Sequence, residues 1–257
     1  MNSEKAIKFI DKNKNSLLKD LQTLIHQPSI SAKNEGIKEC SVLVSKMLKK
    51  SGIKSEILRL GKNAAPLVYG EVKSKNNPNT TLLFYNHYDV QPVEPLELWD
   101  DPPFSGKIIG NKIFGRGASD DKGELITRIK AVESYLKTYG DVPCNVKFVI
   151  EGEEENGSEN IGTYLKKYKK KFSCDGVVWE FGYVDQKNRP IIGLGMKGLL
   201  YVELTAKESV RDVHSSFAVI IKNPAWRLVQ ALNTTVSYTH LRAHETKANL
   251  VCRLLLE

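Results

Sequence analysis

Histidine and carboxylate side chains follow two apolar runs of this sequence. His87 and Asp89 come directly after the run at 82–85, and the acidic cluster 153–155 follows the run at 145–150. Runs of this length are typical of buried strands, and the carboxyl ends of parallel strands meet at one edge of a sheet. Imidazole and carboxylate groups placed together there are suited to binding a divalent metal ion.

Two further carboxylates extend this pattern. Asp120 lies in the glycine-bearing turn GRGASDDKG at 115–123, and Glu180 ends the apolar run at 176–179. Each motif has a simpler alternative, because an H-x-D triplet is common by chance and an acidic run is usually a solvated surface. In a chain of net charge +8, however, adjacent carboxylates at a strand end are easiest to explain if a cation relieves their repulsion. Four such strand ends favour a metal site.

The order of these motifs resembles that of the M20 family of metallopeptidases, which includes carnosinase-like dipeptidases, carboxypeptidases and amino-acid deacylases. The segments HYDVQP (87–92) and GRGASDDKG are most similar to the dipeptidase branch. The resemblance covers about residues 10 to 235. It implies an α/β fold, in which a layered sheet with flanking helices forms a di-zinc exopeptidase-like catalytic domain. An α+β lid that forms a homodimer would follow this domain.

The resemblance also implies roles for individual residues. Four would be metal ligands, with His87 and Glu180 on the first ion, Glu155 on the second and Asp120 bridging both. Asp89 would orient His87 from behind, as carboxylates often do for metal-bound histidines. Glu154 would act as the general base on a metal-bound water that attacks the amide bond of a dipeptide or similar small peptide. The two ions are expected to be Zn²⁺, with Mn²⁺ or Co²⁺ as alternatives, and the peptide bond between Asp120 and Asp121 is expected to be cis.

The segment Arg211-Asp-Val-His-Ser-Ser216 resembles the lid motif of the family. The resemblance implies that His214 reaches into the site of the partner subunit and stabilises the oxyanion of the tetrahedral intermediate. An ordinary polar turn residue is the alternative interpretation of His214.

These observations predict three parts of the chain. Residues 1–197 would belong to the catalytic domain, 198–235 would begin the lid, and 236–257 resemble nothing expected of a lid. We interpret this last part as foreign sequence. It contains His240 and His244 at i, i+4 but lacks the glutamate that a zincin motif requires after the first histidine. Because the family's last histidine ligand and its substrate-carboxylate groups lie further along, the chain is expected to be incomplete and little active.

Strand and helix patterns alternate along the chain, which predicts an α/β layered sheet. Strands are predicted at 53–58, 66–72 and 199–205, in addition to those that carry the ligands, and a short hairpin at 107–114. Helical periodicity covers 7–25, 35–51, 124–139 and 161–172, and a further helix begins at Asn223.

Composition excludes several other classes of protein. The 257 residues are 41% hydrophobic, enough for a sizeable core in one or two domains. The N-terminus lacks the arrangement of a signal peptide and no apolar run approaches the length of a membrane span, so a cytoplasmic protein without a membrane partner is expected. The lysine-rich segment 161–172 is interpreted as a solvated helix face, since no phosphate loop or aromatic-basic interleaving indicates nucleic acid.

Two alternatives for function stay open, an N-acyl amino acid deacylase and a non-catalytic binding protein on this fold.

Overall fold

The computed structural model describes residues 1–61, 63–180, 182–187, 189–195, 198 and 200–235. The chain divides into two compact units between Leu194 and Gly195. The domain boundary predicted at 197/198 stays a prediction. The predicted foreign tail at 236–257, with His240 and His244, lies outside the described residues.

A five-stranded mixed sheet forms the centre of the first unit, in the order β1-β2-β6-β3-β7. The strands of the chain are β1 (Lys54–Leu58), β2 (Leu67–Val72), β3 (Thr81–His87), β4 (Lys107–Ile109), β5 (Lys112–Phe114), β6 (Asn145–Glu151) and β7 (Gly176–Val178). Strand β3 pairs in parallel with β6 and with β7, whereas β2 is antiparallel to both β1 and β6. Strands β4 and β5 form a separate hairpin, as predicted. The carboxyl ends of β3, β6 and β7 therefore lie at one edge of the sheet.

The helices are α1 (Ser3–Lys12), α2 (Lys14–His26), α3 (Ile37–Lys50), α4 (Lys122–Tyr139), α5 (Ile161–Lys167), α6 (Lys169–Phe172) and α7 (Pro224–Thr235). The helical pattern predicted at 7–25 is divided into α1 and α2 at Asn13. The Asn13 side chain donates to the carbonyl of Phe9 at 2.7 Å, and such local bonds compete with helix propagation. Helix α4 is followed by Gly140, whose φ of 66° is the left-handed conformation common after a helix.

Helices pack on both faces of the sheet, because successive apolar side chains of β6 point to opposite faces. Val146, Phe148 and Ile150 lie in a cluster with buried residues of α2, α3 and α4. Val149 lies in a second cluster with Tyr164 of α5 and Phe172 of α6. This period of two places one apolar set on each face, so the layered α/β fold predicted from the sequence is confirmed.

In the second unit, the strand predicted at 199–205 is wrong for the described residues 200–205, which form no strand. Alternating apolar residues become a strand only when a neighbouring backbone accepts their hydrogen bonds, and no described residue pairs with this segment. Helix α7 begins where predicted, with the Asn223 side chain accepting the N–H of Ala225 at 2.9 Å. Across both units, none of the described helices combines the length and apolar character of a membrane span.

Candidate metal centre

His87 is the last residue of β3 and lies opposite Glu151 of β6. Its side chain is 1% exposed. Nδ1 lies 3.0 Å from the carbonyl oxygen of Asp89 and 3.3 Å from the Asp89 carboxylate. A proton on Nδ1 that is bound in this way leaves Nε2 as the nitrogen available to a metal ion.

Three carboxylates face Nε2 of His87 from different parts of the chain. The nearest oxygen of Asp120 is 2.8 Å away, that of Glu180 is 3.4 Å away and that of Glu154 is 3.9 Å away. Asp120 comes from the turn before α4, Glu154 from a short 3-10 helix after β6, and Glu180 from the segment after β7. The edge of the sheet thus brings together residues that are widely separated in sequence.

Two groups of side chains in the described residues could each hold a metal ion, and His87 belongs to both. One group is His87, Asp120 and Glu155, and the other is His87, Asp121 and Glu180; within each, the ligand atoms lie within 4.8 Å of one another. All four ligands predicted from the sequence are therefore present in these groups. The roles assigned to them, including a bridging role for Asp120, stay predictions.

Asp121 is the residue that the sequence analysis did not include among the ligands. It is 1% exposed, and the peptide bond that joins it to Asp120 is cis, as expected. Its Oδ2 accepts hydrogen bonds from the Asn86 side chain at 2.8 Å and from the backbone N–H of His87 at 2.9 Å. Its Oδ1 is buried and accepts no hydrogen bond from the described residues.

The buried carboxylates around His87 shift the pKa values of the site. Burial opposes protonation of His87, but hydrogen bonds to Asp120 and Asp89 raise its pKa to about 12. Burial raises the pKa of Asp121 to about 7, and burial together with neighbouring carboxylates raises that of Glu180 to about 8. Glu180 also carries a buried carboxylate oxygen without a hydrogen-bond donor among the described residues. A divalent ion could be bound by both of these carboxylate oxygens, which lack a hydrogen-bond donor among the described residues. Imidazole and carboxylate are also ordinary ligands of Zn²⁺, so the residues fit a metal ion.

Asp89 links His87 to the loop that follows β6. Its two carboxylate oxygens accept the backbone N–H groups of Glu154 at 3.2 Å and Glu155 at 3.1 Å. The Glu155 side chain also accepts a hydrogen bond from Gln91 at 2.8 Å. Burial raises the pKa of both Glu154 and Glu155 above the ordinary value. Asp89 therefore contacts both His87 and the acidic loop, and its predicted role in orienting His87 stays a prediction.

His214 lies in the second unit, immediately before a 3-10 helix at Ser215–Val219. Its Nδ1 accepts the backbone N–H of Ser216 at 3.2 Å, which makes it the cap of that helix. An accepting Nδ1 leaves the ring proton on Nε2, so the residue retains one donor. Its predicted role across a dimer stays a prediction.

Comparison with known proteins identifies the family. A sequence model of the peptidase family M20/M25/M40 matches residues 83–249. The chain belongs to this family. The Cys-Gly metallodipeptidase dug1 of Schizosaccharomyces pombe is 31% identical to this M20 chain over 92% of the chain and 52% of its own length. The succinyl-diaminopimelate desuccinylase of Blochmanniella pennsylvanica is 30% identical over 88% of the chain and 58% of its own length.

A solved structure is similar over the same part of this M20 chain. The M20 family metallo-carboxypeptidase from Sulfolobus solfataricus is 41% identical and superposes with a TM-score of 0.79, covering 87% of this chain and 50% of that one. The family resemblance and the fold predicted from the motifs are confirmed. The chain spans about half the length of the curated relatives it matches.

Proposed function

We propose that this M20 chain carries the metal-binding centre of a hydrolase that cleaves the amide bond of dipeptides or similar small peptides. The observation that carries the proposal is the convergence of three carboxylates on Nε2 of one buried histidine at the carboxyl edge of the sheet. The identity to a Cys-Gly metallodipeptidase over 92% of the chain supports dipeptides as the substrate class.

Two divalent ions, proposed to be Zn²⁺, would supply an activated water and polarise the scissile carbonyl when bound. His87 and Glu180 would hold one ion, Glu155 the other, and Asp120 would bridge them. Asp121 fits as a further oxygen ligand or as the acceptor that fixes the backbone of His87. A cytoplasmic location and a homodimer that brings His214 of a partner subunit to the site are further parts of the proposal, and the homodimer rests on the family resemblance.

Glu154 would move the proton in this reaction. It is partly buried and not paired with a described lysine or arginine, and burial raises its pKa toward the range in which a carboxylate can accept and return a proton. It would take a proton from the attacking water and deliver it to the leaving amine. No serine or cysteine nucleophile is required by this scheme.

A carboxypeptidase is the second candidate function. It is favoured by the 41% identity to the Sulfolobus solfataricus metallo-carboxypeptidase, which exceeds the identity to the dipeptidase. The deacylase alternative is supported in the same way by the desuccinylase, since removal of a succinyl group also hydrolyses an amide.

The test is a comparison of substrates on the full chain loaded with Zn²⁺, Mn²⁺ or Co²⁺. Turnover of Cys-Gly above that of a hexapeptide and of N-succinyl-diaminopimelate is the expected result, and the opposite order would replace the dipeptidase by one of the alternatives. Glu154→Gln should lower kcat by about 10²- to 10⁴-fold while metal binding is kept. Failure of the wild-type chain to bind any of these ions would refute the proposal. Metal binding without turnover of any substrate would contradict the proposed activity of this chain and would agree with the little-active chain expected from the sequence or with a binding protein.

A further inference from the structure

Arg128 of α4 makes a set of contacts that an ordinary surface arginine does not make. Its side chain is only 10% exposed. The guanidinium donates to the carbonyl of Tyr85 at 2.7 Å and the side-chain oxygen of Asn86 at 3.0 Å. It also donates to Glu124 at 3.1 Å and to the carbonyl of Trp179 at 2.6 Å. One side chain therefore joins α4 to the end of β3 and to the segment after β7.

The contact with Asn86 decides which way its amide points. Because the Asn86 oxygen accepts from Arg128, its NH₂ group is turned toward Asp121 and donates to Oδ2 at 2.8 Å. A flipped amide would place NH₂ against the guanidinium and the amide oxygen against a carboxylate. Arg128 thus holds Asp121 through one intermediate side chain.

The contact with Trp179 acts on the next residue of the chain. The carbonyl that accepts from Arg128 belongs to the peptide bond preceding Glu180, and the Trp179 ring stacks on Tyr85 with centroids 3.8 Å apart. The backbone that carries Glu180 is therefore fixed against the end of β3.

We infer that Arg128 is a positioning residue for the group formed by His87, Asp121 and Glu180. The inference rests on the proposed function, since it assumes that this group binds a metal ion. The other group is held differently, because Glu155 is bound by Gln91 and by Asp89. Loss of Arg128 should therefore weaken metal binding by the group of His87, Asp121 and Glu180 more than metal binding by the group that contains Glu155.

A lysine could not substitute in this role. The acceptors lie in different directions around a planar guanidinium, which donates along fixed axes from two nitrogens here. An ammonium keeps the charge and the ion pair with Glu124 but cannot reach all of these acceptors at once. Arg128→Lys therefore keeps the positive charge at this position and removes the arrangement of hydrogen bonds that the guanidinium makes.

The experiment is a Co²⁺ titration of the full chain, followed by absorption and chelator competition. The variants Glu180→Gln and Glu155→Gln are titrated first. The Co²⁺-binding step that each variant weakens is assigned to the group that contains the substituted residue. Arg128→Lys is expected to lower the Co²⁺ affinity of the group that contains Glu180 by about 10- to 100-fold. The Co²⁺ affinity of the group that contains Glu155 should stay unchanged. A purely structural role would weaken both steps together or neither.

Lys130→Met is the matched control on the same helix. The Lys130 side chain is 7% exposed and pairs with Asp20 and Glu133, so its loss should lower stability without changing Co²⁺ affinity. Equal weakening of Co²⁺ binding by Lys130→Met and Arg128→Lys would overturn the inference. If Arg128→Lys does not fold, Asn86→Ala interrupts the same contact to Asp121, and unchanged Co²⁺ binding in that variant would also overturn it.

Co²⁺ binding by the wild-type chain tests the proposed function separately from the role of Arg128. A chain that binds no Co²⁺ refutes the proposed function and the inference with it. A chain that binds Co²⁺ equally well with and without Arg128 refutes the inference alone.

Discussion

Asp89→Asn tests how the two candidate metal groups are held together. The Asp89 side chain is fully buried and lies 3.3 Å from Nδ1 of His87. Its two oxygens also accept the backbone N–H groups of Glu154 and Glu155. Asparagine has nearly the same shape, but it removes the charge and replaces one accepting oxygen by an NH₂ group. In either orientation that NH₂ faces a backbone N–H, and in one of them it also faces Nδ1 of His87.

The size of the effect follows from these contacts. The variant loses one hydrogen bond to a charged group, worth about 1.5–3 kcal/mol, and leaves one buried donor facing another. We therefore expect the free energy of unfolding of the metal-free chain to fall by about 2–3 kcal/mol. Because Asp89 is also proposed to orient His87, we expect metal affinity to fall by about 10- to 100-fold.

Urea denaturation in the presence of EDTA measures the first quantity, and chelator competition with Co²⁺ measures the second. Asp141→Asn is the control, since the Asp141 carboxylate also accepts backbone N–H groups, from Lys75 and Asn76, outside the site. It should lower stability and leave Co²⁺ affinity unchanged. Wild-type Co²⁺ affinity in Asp89→Asn, or an equal loss of affinity in Asp141→Asn, would show that the reasoning is wrong.

Two further predictions concern stability. Burial tends to raise the pKa of Asp20, but hydrogen bonds from Lys130 and a second lysine lower it below the ordinary value. The contribution of this carboxylate to stability is therefore complete above about pH 4 and is lost as the pH falls through the lowered folded-state pKa. Because solvent partly screens these ion pairs, Asp20→Asn should cost about 1 kcal/mol at pH 7 and progressively less as the pH falls below about 4. Thermal melts across this range would contradict the prediction if the difference did not shrink. Gly152→Ala would place a Cβ 2.3 Å from the buried Tyr88 ring and should cost about 1–3 kcal/mol in urea denaturation, whereas Gly162→Ala meets open space and serves as its control.

The elements of the first unit could be predicted because each carries a local signal. The apolar run ending in His87 and the run before the acidic cluster became β3 and β6 with nearly the predicted bounds. The break at Asn13 and the absence of a strand at 200–205 could not be predicted in the same way. The first depends on one side-chain hydrogen bond, and the second depends on whether another part of the chain lies alongside.

The site was predictable only to the extent that its residues follow strands. Adjacent carboxylates in a turn usually point apart, so nothing in the sequence places both Asp120 and Asp121 near His87. Arg128 resembles any polar residue of an amphipathic helix, and its burial follows from where α4 packs. These residues act through tertiary contacts, which spacing does not record.

The parallel pairing of β3 with β6 and β7 has a consequence for the order of folding. Antiparallel neighbours can be joined by a tight turn, but parallel neighbours need a crossover. The segments that carry the candidate ligands here extend from His87 to Glu180. Such long-range pairings close late, after the entropy of the intervening loops has been lost. An ion would therefore find no assembled set of ligands before the sheet has formed. A bound ion would add to the stability of the finished sheet by mass action.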